Sequence, residues 1–137
     1  MAVVLLDAEA LSVLAAPEER GEARRRAQAT LAAALERNAL VRVSAGVLVE
    51  VYRGKAREAA IDRVLNQGID VLPVDRTTAR IAAGLLARAR LDSRDAIDAL
   101  VVATAVRLGG ALILTSDPDD LRVLAMDHAT IEIQALR

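Results

Sequence analysis

Four-residue apolar runs recur along this chain, each bounded by turn residues or carboxylates and each separated by helical periodicity. Val3-Val4-Leu5-Leu6, Leu40-Val41-Arg42-Val43, Ile69-Asp70-Val71-Leu72, Ala111-Leu112-Ile113-Leu114 and Thr130-Ile131-Glu132-Ile133 are the five. Runs this short and this apolar read as buried strands rather than helices. Between them the spacing predicts helices over Glu9–Ala15, ended by Pro17, and Glu22–Arg37 with Ala27, Leu31, Ala34 and Leu35 inward. A helix capped by Ser44 carries Val47, Leu48, Val51 and Tyr52, and Gly54 breaks it before a further helix over Arg57–Asn66. Thr77–Arg90, Arg94–Leu108 (capped by Asp92 or Ser93 and stopped by Gly109-Gly110) and Pro118–Ala125 complete the set. Strands alternating with helices predict one α/β domain over residues 1–137, a parallel sheet of about five strands with helices on both faces.

Composition removes several classes of function. The lone aromatic, Tyr52, cannot furnish a base-stacking platform. No cysteine means no disulfide, thiolate metal site or cysteine nucleophile, and one histidine, His128, rules out a histidine-rich metal centre. Any metal must therefore be held mainly by oxygen. No apolar run reaches the ~18 residues a membrane helix needs, and Asp7 interrupts the start too early for a signal peptide, so a cytoplasmic location is expected. The net charge of −1 hides a basic stretch over residues 18–63 and an acidic one over 92–120.

In open α/β sheets ligands bind beyond the carboxyl ends of the strands, where strand order reverses. Asp7 follows the first run, and Thr115-Ser116-Asp117-Pro118-Asp119-Asp120 follows the fourth. Glu50 lies at the edge of an apolar helix stripe, and Asp98 directly precedes Ala99-Leu100-Val101-Val102-Ala103-Thr104-Ala105. Carboxylates gathered in one crevice raise each other's pKa unless a cation compensates them, and hard oxygen donors select Mg2+ or Mn2+. Each residue also has a plainer role open to it. Asp7 suits a helix N-cap, Glu50 an exposed helix face, Asp95 a capping box with Asp92, and Asp119 and Asp120 a polar helix start. Asp98 has no such role, because a free carboxylate there needs a partner.

Four ordered segments resemble those of PIN-domain ribonucleases, most closely the VapC-type toxins of bacterial toxin–antitoxin pairs. They are Val4–Leu11 with Asp7, Ser44–Val51 with Glu50, Asp98–Ala105, which is the most specific, and Leu112–Leu121 with Asp117. The resemblance implies a metal-dependent endoribonuclease, the toxin of a type II system, in which Asp7, Glu50, Asp98 and Asp117 hold one or two Mg2+ or Mn2+ ions. Asp95, Asp119 and Asp120 are lesser candidates for that set, and Thr115 and Ser116 for positioning water or ligand. It also implies an RNA substrate, a cognate antitoxin and a homodimer. Where the family often has Thr-Asn after its first Asp, this chain has Ala8-Glu9. Two other readings stand beside it: a Mg2+-dependent phosphatase or phosphotransferase with an aspartyl nucleophile, and a catalytically weak PIN-like interaction domain.

Overall fold

The computed structural model describes residues 2–16 and 21–136. The five apolar runs become strands β1 (Val3–Leu6), β2 (Leu40–Ser44), β3 (Asp70–Leu72), β4 (Ala111–Thr115) and β5 (Ile131–Ala135). They form one parallel sheet in the order β3-β2-β1-β4-β5. Successive strand residues point to opposite faces, and both members of the pairs Leu5 and Leu6 and Ile113 and Leu114 are at most 1% exposed. Both faces are therefore covered, as the wholly apolar runs require. The helices are α1 (Ala8–Ala15), α2 (Gly21–Glu36), α3 (Leu48–Val51), α4 (Lys55–Leu65), α5 (Arg76–Ala89), α6 (Ala96–Arg107) and α7 (Pro118–Ala125). One layer is built from α1, α2 and α4, the other from α5, α6 and α7. No helix among the described residues is long and apolar enough to cross a membrane.

Several local expectations are revised by packing. β3 is the sheet edge, so Asp70 and Val71 are exposed rather than buried. On α2, Ala27 and Ala34 face inward but Leu35 is 61% exposed, because the helix meets the sheet along a narrower stripe than its periodicity allows. The segment after β2 is a 3-10 turn, Ala45–Val47, followed by the single turn α3. A 3-10 turn over Ser93–Asp95 likewise precedes α6, with Asp92 accepting from the Arg94 N–H. Pro17 lies outside the described residues, and α1 closes on the Ala16 N–H, which donates to the Ser12 carbonyl.

α6 is apolar nearly all round and runs through the core, with Ala99 and Val101–Ala105 buried. Its hydroxyl at Thr104 is satisfied by the Leu100 carbonyl at 2.7 Å. Arg107, at the end of α6, bonds both oxygens of Asp75 at 2.7 Å, and Asp75 caps α5 through the Thr78 N–H. The Thr78 N–H first, then Arg107, hold the Asp75 carboxyl down at about 2. This pair ties the end of α6 to the start of α5.

Gly110 shows where the fold tolerates no side chain. Its φ is +129°, and a Cβ there would lie 2.7 Å from the Thr130 carbonyl oxygen, a backbone atom that cannot swing away. Gly110→Ala is expected to destabilise the protein by about 2–4 kcal/mol. Thermal melting checks this, and an unchanged midpoint would contradict the strained turn.

Candidate metal centre

Strand order reverses at β1, which pairs with β2 on one side and β4 on the other. The carboxyl ends of β1 and β4 thus border the crevice where this architecture places ligands. Asp7 extends β1 by one residue, with its N–H donating to the Leu114 carbonyl at 3.3 Å. The residue is 4% exposed. It also caps α1, with Oδ1 accepting from the Ala10 N–H at 2.8 Å, so the capping role and a site role coexist in one side chain. Burial pushes its carboxyl up to about 6, against the lowering effect of hydrogen bonds from Thr115 and Ala10 and with a further push from Glu9 and Glu50.

Asp98 stands in the first turn of α6, facing the same crevice. Burial first, then the charges of Asp7, Glu50, Asp95 and Asp120, raise its carboxyl to about 7. Every one of those neighbours is an acid. Asp95, Asp98 and Asp120 each offer a carboxylate oxygen, and the three oxygens lie within 4.8 Å of one another. The local geometry explains why. Asp95 occupies the N-cap position of α6 yet makes no side-chain cap bond. Its carboxyl lies against that of Asp120 instead, and this contact raises the Asp120 carboxyl.

Glu50 is exposed on α3, but its charge reaches both Asp7 and Asp98. Asp117 is exposed at the end of β4, where its N–H donates to Thr115 Oγ1 at 3.0 Å. Its carboxylate is not among the charges that act on Asp7 or Asp98. Asp119 is exposed and acts on Asp120. Thr115 is fully buried and serves both Asp7 and the Asp117 backbone. Ser116 Oγ donates to Glu9 Oε2 at 3.2 Å.

The structure therefore brings Asp7, Glu50 and Asp98 into mutual electrostatic reach and adds Asp95 and Asp120 to them. Sequence reasoning kept those last two only as lesser candidates and favoured helix-start roles for them. The signal that finds them is a doubled spacing: Asp95 and Asp98 are three apart, as are Asp117 and Asp120, on two helices that pack together. Glu9 was missed as well, and its charge acts directly on Asp7. The donor set is entirely oxygen and heavily anionic, which fits a hard divalent cation such as Mg2+ or Mn2+.

The family model of the PIN domain matches residues 4–125. No curated protein matches the chain by sequence. Among solved structures, VapBC2 from Rickettsia felis bound to a DNA fragment from their promoter is similar at a TM-score of 0.70 and 12% identity, over 97% of this chain and 98% of that chain. VapBC-1 from nontypeable Haemophilus influenzae is similar at 0.67 and 15% identity, over 98% of each chain. A toxin–antitoxin complex from Klebsiella pneumoniae is similar at 0.62 and 18% identity, over 93% of this chain and 94% of that chain. At these identities the likeness is one of fold.

Proposed function

The chain belongs to the PIN domain family, and from that premise we propose that it is a Mg2+- or Mn2+-dependent endoribonuclease, the toxin of a type II toxin–antitoxin pair. The observation that carries the reading is the set of carboxylates around Asp98, with only acids acting on it, at the point where strand order reverses. Such a cluster opposes folding unless a cation joins it, so its presence in a well-packed domain points to use.

Asp98, Asp95 and Asp120 would hold the ion on the α6–α7 side, and Asp7 and Glu50 on the β1–α3 side, with Asp117 available at the mouth. A divalent ion bound there supplies charge compensation at a phosphodiester and lowers the pKa of water for in-line attack. The chain's own residues prepare the place. Burial of Asp7 keeps bulk water from screening its charge, and the Thr115 hydroxyl orients that carboxyl. Glu9 occupies the Ser116 hydroxyl, which supports a role for that pair in shaping the mouth where Ala8-Glu9 replaces the family's Thr-Asn. No side chain acts as a covalent nucleophile.

An antitoxin partner is part of the proposal, and likeness to three toxin–antitoxin assemblies supports it. A cavity of about 270 Å3 between α2 and α4, lined in part by Leu14, Leu31, Leu35 and Val64, offers an apolar partner helix a seat. An arginine from that partner could reach the acidic crevice with a bidentate contact. The protein would act in the cytoplasm, with a homodimer as its working form.

The test is direct. Purified protein incubated with single-stranded RNA and Mn2+ should cleave internally, and an excess of EDTA should stop the reaction. Cleavage indifferent to the chelator, or none with either metal, would overturn the reading.

A further inference from the structure

β2 ends on Ser44, predicted to cap the next helix, but its side chain makes no cap bond to the Ala45–Val47 turn. The residue is 1% exposed. Its Oγ is buried and has no hydrogen-bond partner among the described residues. Leaving a buried hydroxyl unmatched costs roughly 1–3 kcal/mol, so such a group calls for a partner such as a bound water or ion or for a role at a site.

The position of Ser44 says which site. β1 pairs with β2 through Leu5 and Arg42 and with β4 through Leu6 and Leu114. Continuing both registers sets Ser44, Asp7 and Thr115 side by side across the carboxyl ends of β2, β1 and β4. In-register partners of parallel strands share a face, and Thr115 already bonds Asp7 from its end of that row. The helix above the row is α6. A Cβ built at Gly46 would lie 2.7 Å from Leu100 Cδ1 and 3.7 Å from Ser44 Oγ. Glycine at that position therefore admits α6, the helix of Asp98, against the end of β2. Ser44 is thus buried at the end of β2, beside Asp7 in strand register and close to the Gly46 turn on which α6 packs.

The chemistry at that spot is one-sided. Ionised carboxylates only accept hydrogen bonds, whereas a serine hydroxyl both donates and accepts. We propose that Ser44 is a positioning residue of the metal site: with a cation bound, its hydroxyl would hold a water that bridges it to the Asp7 carboxylate and so would help fix that carboxylate for the ion. The inference rests on the metal-dependent reading above. It also accounts for a buried hydroxyl that has no hydrogen-bond partner among the described residues.

Ser44→Ala separates this role from a structural one. Isothermal calorimetry with Mn2+ should give a dissociation constant about tenfold weaker than that of the wild type, the scale of losing an outer-shell partner. In EDTA, the melting midpoint of Ser44→Ala should equal or slightly exceed that of the wild type, since no protein contact is lost. Equal Mn2+ affinities would overturn the proposal, and so would a midpoint in EDTA lowered by several degrees, which would reveal a structural partner. A wild-type protein that takes up no Mn2+ would overturn the metal reading itself, and Ser44's role with it.

Discussion

Asp98→Asn should lower Mn2+-dependent RNA cleavage by on the order of a hundredfold or more while making the metal-free protein more stable at pH 8. The two effects have one cause. At pH 8 the Asp98 carboxylate is ionised, half-buried, and faces the charges of Asp7, Glu50, Asp95 and Asp120. An amide of the same shape keeps the packing and removes that repulsion, but it offers one neutral oxygen where the cation needs a charged one. Because the carboxyl sits at about 7 in the wild type, it is mostly protonated at pH 5. The stability gain should therefore be present at pH 8 and nearly absent at pH 5. Melts in EDTA at the two pH values, run beside cleavage assays, check both halves. Wild-type cleavage by Asp98→Asn would remove the residue from the mechanism, and a loss of stability at pH 8 would contradict the repulsion.

Mn2+ should raise the melting midpoint much more at pH 8 than at pH 5. Asp7 and Asp98 are raised from 3.8 to about 6 and about 7. A carboxyl with a raised folded-state pKa holds a proton in the folded protein that the unfolded chain has already released. Its contribution to stability is thus complete below about pH 4 and is lost as pH rises through 6 to 7. For buried Asp7 alone the loss comes to roughly 3 kcal/mol, or on the order of 10 °C in a domain of this size. Asp98 adds a smaller share because water reaches it more readily. A divalent ion compensates the ionised carboxylates and competes with their protons, so it restores at pH 8 what ionisation removed, and at pH 5 has less to restore. Differential scanning calorimetry with and without Mn2+ at both pH values measures this. Equal shifts would mean that the ion does not bind at these carboxylates.

The sequence by itself determined the strands, the layer architecture and the positions of Asp7 and Asp98. Those features are written in local chemistry: an apolar four-residue run is buried wherever it falls, and a carboxylate beside Ala99-Leu100-Val101-Val102 has no bland home in an isolated helix. Asp95 and Asp120 were different, because each has an adequate local role at a helix start, and short-range rules choose that role. Only the packing of α6 against α7 sets the two carboxyls together, across twenty-five positions of chain, with Asp95 making no cap bond. Ser44 likewise reads as a cap in sequence. It becomes an unsatisfied hydroxyl because Gly46 lets α6 close over the end of β2 and the chain turns into a 3-10 turn before the hydroxyl meets an N–H. Periodicity records which side of an element is buried, whereas which buried groups meet depends on how two elements settle against the same end of the sheet.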